Sequence, residues 1–321
     1  MKRISTKGLT LVELMVAMAL GLIITLAAIS ALILSQQGFK TVDASSQIKD
    51  NARFASEIMR RVILQSGYQS TPFAINRGNE LQTSENNSHE PHVKGFDDSG
   101  YKETLLEGTS NNSGKNGINN SDLLIIRYQI GLDTANNQAD HAMINCSGQI
   151  SIDDEDTPLH AYERLGSAFY IENSNNEPTL MCAHLTSSGK WVSQPLVSGV
   201  ESFQVLYGTH NVSANTAPAP TNPSDPTPPA DQYLRADELI VNGDDEATTE
   251  NWSRVGSVRI GMVLRGPVGS AMDKTTSTQL PFGTDILCTA ADKGCSYTAA
   301  ADGRLRQNLS FTVHLRNIQN L

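Results

Sequence analysis

The pattern of apolar and polar residues divides the chain into a helical N-terminal part and a strand-rich remainder. Between residues 9 and 34 the only ionisable side chain is that of Glu13, and residues 14–34 form an uncharged run of 21 residues. The hydrocarbon core of a bilayer needs about 20 residues of helix to cross it. We therefore expect residues 9–34 to form a transmembrane helix.

A second pattern continues past this run and is typical of an amphipathic helix over residues 35–66. Apolar residues recur at spacings of three and four. They are Ala44, Ile48, Ala52, Ala55, Met59 and Val62. Gly67 suits a helix C-terminus. The pattern fits one helix from about residue 10 to about residue 65, or two helices broken near Gly38.

After the helical part, the chain reads as a polar, glycine-rich loop to about residue 121 and then as a series of strands. The predicted strands cover residues 123–130, 168–171, 179–185, 191–200, 203–207, 255–264 and 309–318. Several alternate apolar and polar residues, as in a sheet with one buried face. The predicted fold class is α+β, with the long helix packed on an antiparallel sheet in a head that spans residues 67–321.

A proline-rich segment, residues 213–231, interrupts the strands and holds six of the 13 prolines. No regular element tolerates that density. The segment fits a linker or partner-binding arm in polyproline II form, or a surface loop inside one domain. We favour the loop, because the strand patterns on its two sides look alike.

Charge sets the orientation and limits the partners. Lys2, Arg3 and Lys7 precede the apolar run, and the next basic residue is Lys40. The positive-inside rule then predicts a single-pass membrane protein with a cytoplasmic N-terminus and a non-cytoplasmic head. A cleaved secretory signal is disfavoured, since its apolar core is only about 7–15 residues long and a small-residue site follows it. The net charge of −10 argues against direct nucleic-acid binding.

Glu13 is costly inside a membrane, so it has either a partner or a place among the lipid headgroups. The surrounding KGLTLVELMVAMAL resembles the N-terminus of type IV prepilins and type II secretion pseudopilins. The resemblance implies a leader of residues 1–8, cleavage by a prepilin peptidase between Gly8 and Leu9, and N-methylation of Leu9. It also implies that Glu13 pairs with the N-terminal amine of a neighbouring subunit. Two residues depart from the usual pattern: Leu9 replaces phenylalanine, and Ser30 replaces the proline of many major pilins.

The segment NARFASEIMRRVILQSGYQ and the later cysteine-bearing strands resemble the PilW family of minor pilins. This resemblance implies a subunit that primes type IV pilus assembly at or near the tip and supports twitching motility, adhesion and DNA uptake. Its implied partners are other minor pilins, the major pilin, a PilY-type tip adhesin and the inner-membrane assembly platform. The alternative is a minor pseudopilin of type II secretion, similar to the GspJ kind.

The cysteines suggest disulfides rather than a metal site. The chain has four, Cys146, Cys182, Cys288 and Cys295, and an oxidising periplasm favours pairing. Four cysteines allow three connectivities. Proximity suggests Cys146 with Cys182 and Cys288 with Cys295. No C-x₂-C pair supports zinc.

Other candidates for chemistry are weak. The His89 and His92 pair lies in a polar loop, and the acidic runs at 153–156 and 244–246 lack a calcium-loop layout, so we expect solvated loops and turns. The chain has no Walker A, G-x-S-x-G or dinucleotide-binding motif. A membrane-tethered enzyme would need a catalytic constellation that the sequence does not offer. We expect neither an enzyme nor a cofactor.

Overall fold

The fold of the chain is given by a computed structural model. The structure describes residues 8, 10–68, 90–108, 114–133, 138–139, 142–150, 165–186, 190–220, 229–284, 286 and 294–317.

A single helix, α1 (Leu11–Leu64), forms the N-terminal part and runs through Gly38 without a break. Its C-cap is Gln65, and Gly67 has a φ of +71°, which favours glycine because it lacks a Cβ atom. The alternative of two helices is therefore wrong. Apolar side chains at Ala44, Ile48 and the following turns line the face that packs on the head.

Two antiparallel sheets form the core of the head. The first has five strands in the order β1-β2-β5-β6-β7, and the second has four in the order β13-β10-β8-β9. Their bounds are β1 Val93–Phe96, β2 Leu123–Tyr128, β5 Leu165–Ser174, β6 Glu177–Leu185, β7 Trp191–Ser198, β8 Val200–Thr209, β9 Gln232–Leu234, β10 Val255–Arg265 and β13 Arg306–His314. With α1 they give the α+β fold that the sequence predicts.

The shorter elements flank these sheets. They are the paired strands β3 (Leu132–Asp133) and β4 (Gln138–Ala139), the paired strands β11 (Ser277–Gln279) and β12 (Tyr297–Ala299), the helices α2 (Glu103–Leu106) and α3 (Asp245–Ser253), and 3₁₀ turns at Ile118–Asn120 and Asp237–Leu239.

The main core lies where α1 and the two sheets meet. α1 packs on β7, β10 and β13, and β8 packs across the sheets against β5 and β6. Met59 of α1, Phe169 of β5 and Phe203 of β8 all belong to this core and are fully buried. The second half of α1 is thus an integral part of the head.

The first sheet is buried on both faces along β2, whereas the alternating pattern of the sequence predicts one buried face. A second apolar cluster lies around Leu105 of α2, with Phe96, Ile125 and Tyr170. It helps to bury all six residues of β2. β1 and α2 both fall in the segment that reads as a loop, because β1 has only four residues and α2 only one turn. Such short elements leave little periodicity to detect.

Candidate assembly interface

The structure places Glu13 in the first turn of α1, where it is bound within its own chain. Thr10 is the N-cap: its backbone N–H and its hydroxyl donate to Oε2 of Glu13, at 2.9 and 3.0 Å. The N–H of Glu13 donates to Oγ1 of Thr10 at 3.2 Å, which completes a capping box. The T-x-x-E spacing of residues 10–13 is the sequence signal of this capping box, and it is not among the features predicted above. Glu13 thus has a partner at the helix end before any neighbouring subunit is added.

The proposed cleavage point lies just before this cap. Gly8 is exposed, and a Cβ atom added to it would meet no heavy atom within 4 Å. Leu9 lies outside the described residues. The fold around Gly8 therefore places no steric demand on a glycine.

The first half of α1 carries an apolar surface with no cover inside the chain. Side chains such as Leu14, Ile24 and Leu34 are 54–67% exposed, and the most apolar stretch of the helix has no buried residue. Such a surface needs an apolar environment, which a bilayer or a bundle of similar helices provides.

The second half of α1 has two different faces. Ala44, Ile48, Ala55, Ile58, Met59 and Val62 are buried against the head. Phe39, Val42 and Phe54 are 75, 71 and 53% exposed. At 3.6 residues per turn, Phe39 and Val42 project on the side opposite the head, whereas Phe54 lies at its flank, roughly 90–100° from the buried face. Beyond Val42 the side opposite the head is polar, with exposed residues such as Lys49, Arg53 and Glu57. The apolar surface of the membrane half therefore extends about two turns beyond Leu34, to Phe39 and Val42.

Hydrogen bonds attach α1 to the head along its length. Near its middle, Nε2 of Gln37 donates to the carbonyl oxygen of Gly269 at 3.1 Å, and the Thr41 hydroxyl donates to that of Ser270 at 2.8 Å. At its C-terminal end, the Gln65 side chain donates to the Ile144 carbonyl and accepts from the Ile144 N–H, both at 2.8 Å. The contacts fix the position of the helix against the head.

One predicted disulfide is present and lies in the core. Cys146 and Cys182 are bonded, with Cα atoms 5.6 Å apart and both side chains fully buried. Cys295 is also disulfide-bonded. Cys288 lies outside the described residues, so its pairing with Cys295 stays a prediction.

Buried carboxylates join the two sheets on one side of the head. Asp122, just before β2, accepts the N–H of Val205 in β8 at 2.8 Å and that of Asp98 at 3.1 Å. Burial raises the pKa of Asp122 to about 7, although Arg235 and the two N–H donors favour the charged form. Asp97 accepts the N–H of Asp237 at 2.8 Å. Burial and the neighbouring Asp122 raise the pKa of Asp97 well above its usual range.

Three arginines and three acidic residues join the strand ends elsewhere in the head. Glu201, which is 2% exposed, binds Nε of Arg306 at 2.6 Å and Nη1 of Arg265 at 2.9 Å. Glu177 of β6 binds Arg265 and Arg304, which links the first sheet to the second. Asp302 completes the group through Arg306. No local pattern of residues indicates this network, because its members come from four separate segments.

Among the described residues, the remaining candidates for chemistry form no site. The acidic residues 153–156 and His89 lie outside those residues. Residues 244–246 are solvent-exposed, as expected, but they begin a helix rather than form a turn: Asp244 is the N-cap of α3 and accepts the Ala247 N–H at 2.9 Å. The S-S bond of Cys146 and Cys182 lies beside His184, but disulfide sulfurs are not thiolate ligands.

The proline-rich segment belongs to the head where it is described. Asn215 donates from its side chain to the carbonyl oxygens of Asp237 and Ile240, at 2.7 and 3.0 Å. Arg254 donates to the Ala219 carbonyl. These contacts favour a surface loop over a free linker; residues 221–228 lie outside the described part of the chain.

An exposed apolar helix that continues into an α+β head gives the architecture of a membrane-anchored pilin, and sequence comparison agrees with that class. Residues 3–29 match the prokaryotic N-terminal methylation motif. Residues 168–317 match the PilW family, described as Type IV Pilus-assembly protein W. The chain is thus a type IV pilin-like protein. Within that class, the chain is similar to the PilW family over 150 of its 321 residues.

No curated protein matches the chain. Among solved structures, a type IV-like pilin from Thermus thermophilus is similar to 84% of this chain and 97% of its own length, with 12% sequence identity and a TM-score of 0.39.

Proposed function

We propose that this protein is a minor pilin that helps to prime type IV pilus assembly and lies at or near the pilus tip. In this proposal, α1 crosses the inner membrane with its N-terminus in the cytoplasm and its head in the periplasm. A prepilin peptidase cuts between Gly8 and Leu9, and Leu9 is N-methylated. The role is structural and needs no catalytic site.

The observation that carries this proposal is the uncovered apolar half of α1, which begins beside Glu13 within the stretch that matches the N-terminal methylation motif. Its apolar surface extends past the membrane run to Phe39 and Val42, on the side opposite the head. A helix that only anchored a periplasmic domain would need neither this motif nor a carboxylate in its first turn. Packing against other pilin helices would bury this surface on assembly.

The proposed partners follow from this role. They are other minor pilins and the major pilin along α1, a PilY-type tip adhesin at the head, and the prepilin peptidase and assembly platform in the inner membrane. We expect the assembled pilus to support twitching motility, adhesion and DNA uptake, without direct nucleic-acid binding by this subunit.

Replacing Glu13 and Thr10 separately tests the role of Glu13 in assembly. Glu13→Gln removes the charge that would pair with a neighbour's N-terminal amine, whereas Thr10→Ala keeps that charge and removes the hydroxyl of the capping box. In a deletion strain complemented with each variant, we expect surface pili to be lost with Glu13→Gln and retained with Thr10→Ala. Glu57→Gln, an exposed acidic position in the same helix, is the matched control.

Equal loss of pili with both variants would mean that Glu13 acts through the cap alone. Normal piliation in the deletion strain, together with failed release of exoproteins, would instead identify a pseudopilin of type II secretion.

A further inference from the structure

The loop after β10 carries two unusually exposed aliphatic side chains. Val268 is 73% exposed and Met272 is 68% exposed. Among the described residues outside α1, the other exposed large apolar side chains are Ile150, Val192 and Tyr233, and they reach at most 47%. We call residues 266–272 the basal loop.

The basal loop is held in place by hydrogen bonds. The Ser270 N–H donates to the Pro267 carbonyl at 3.2 Å and closes a turn. Gly269 has a φ of +77° at the third position of this turn, as a type II turn requires. Oγ of Ser270 accepts the Leu305 N–H at 2.8 Å. Val268 therefore projects from a braced turn, and the Ala271 N–H, which donates to the Gly303 carbonyl at 3.0 Å, holds the backbone next to Met272.

The contacts with α1 place the basal loop close to the apolar segment of the helix. Gly269 and Ser270 bind Gln37 and Thr41, as described above. Gln37 and Thr41 follow Leu34, the last residue of the apolar run, by three and seven positions. At 1.5 Å per residue, the loop meets the helix roughly 5–10 Å beyond that run.

The length of the run fixes where the membrane surface must lie. Its 21 residues cover roughly 31 Å of helix, and the hydrocarbon core is about 30 Å thick. The whole run is needed to cross the core, so the boundary falls near Leu34. The headgroup layer extends about 5–8 Å beyond this boundary. The basal loop meets α1 at that level.

We propose that Val268 and Met272 insert into the headgroup layer of the bilayer that α1 spans. The head then contacts the membrane at a second point beside the helix, which restricts its tilt before the subunit is assembled. Exposed Lys40 and Lys274 lie close in sequence to the two contact regions and are suited to anionic headgroups. The inference rests on the proposed membrane anchoring of α1.

Tryptophan substitution measures this contact directly. Val268→Trp and Met272→Trp are made separately in the full chain and reconstituted in phosphatidylcholine and phosphatidylglycerol vesicles whose acyl chains carry bromine near the headgroup. Bromine quenches tryptophan that touches these lipids. The fluorescence of the unsubstituted chain gives the baseline emission of the native Trp191 and Trp252. Near-ultraviolet circular dichroism checks the fold of each variant.

Ile150→Trp is the matched control, since Ile150 is 47% exposed and bridges to Ile144. Ile144 binds Gln65 at the far end of α1, roughly 45 Å along the helix from Leu34. We expect the emission of Trp at positions 268 and 272 to fall and shift to shorter wavelength in brominated vesicles, and the control to stay unchanged.

Flotation of the vesicles is scored first. A chain that does not float overturns the membrane anchoring on which the inference rests. A chain that floats without quenching at either position overturns the lipid contact alone. A shift to shorter wavelength without bromine quenching would mean that another protein chain covers the loop, which also overturns it. None of these readings depends on piliation, so the proposed pilus function is tested separately.

Discussion

Oδ2 of Asp122 accepts the backbone N–H of Val205 at 2.8 Å, and this bond ties the first sheet to the second inside the head. Asp122 is 1% exposed. Because burial disfavours a charged carboxylate, the junction between the sheets depends on the protonation of a buried acid.

The first prediction concerns pH. The pKa of Asp122 is raised from its usual value to about 7, so the folded head binds a proton more readily than the unfolded chain. Stability therefore falls as pH rises from about 4 to about 7 and levels off above that. Since one pKa unit corresponds to about 1.4 kcal/mol, the loss between pH 5 and 7 is at most about 3 kcal/mol.

Urea unfolding between pH 5 and 8 measures this dependence. Asp122→Asn should flatten it, because the amide does not ionise. Asp273→Asn, at an exposed position, is the control and should leave the slope as it is. If the slope persists in Asp122→Asn, another group causes the pH dependence. Asp97 is then the first candidate, because its pKa is also raised.

The second prediction concerns the buried ion pair of Glu201 and Arg306. Glu201→Ala leaves Arg306 with Asp302 as its remaining carboxylate and should lower the free energy of unfolding by about 3–5 kcal/mol. The pair of exposed Glu250 and partly buried Arg254 gives the control: Glu250→Ala should cost less than about 1 kcal/mol, because water solvates the carboxylate. Equal costs in urea unfolding would show that burial does not strengthen the inner pair.

The third prediction concerns the disulfides. The Cys146–Cys182 bond closes a loop with a sequence separation of 36. Loop-closure entropy predicts that the double substitution to alanine lowers the free energy of unfolding by about 3–4 kcal/mol. Thiol counting on that variant, denatured without reductant, should find none if Cys288 pairs with Cys295. Detection of two thiols would show that this second bond is absent.

The fourth prediction concerns processing. Gly8→Ala should block cleavage after residue 8 without disturbing the head, since a Cβ atom at Gly8 meets no neighbour. Mass spectrometry of the N-terminus measures the outcome, with methylated Leu9 expected in the unsubstituted chain. Gly21→Ala, at a helical glycine that also has free space, is the control and should be processed normally. Normal cleavage of the Gly8 variant would contradict the assignment.

The strands that the sequence predicts best are the long ones. The predictions at 179–185 and 255–264 fall within β6 and β10. The alternation of residues does not predict burial on both faces of β10, yet Gly261 is buried on the face opposite Ile260, because Pro281 and Phe282 pack directly over it. Close approach of a distant segment cannot be read from the local alternation of residues.

The sequence by itself determined the helix, its apolar run, the spacing of Gly8 and Glu13, and the main strands. These depend on local periodicity and on short motifs, so neighbouring residues suffice to define them. Only the tertiary structure decided that α1 is unbroken and which of its faces packs on the head. It also decided that Asp122 and Glu201 are buried, and that the basal loop meets α1 just beyond the apolar run. These relationships join residues from separate segments, and the packing of the whole head fixes them.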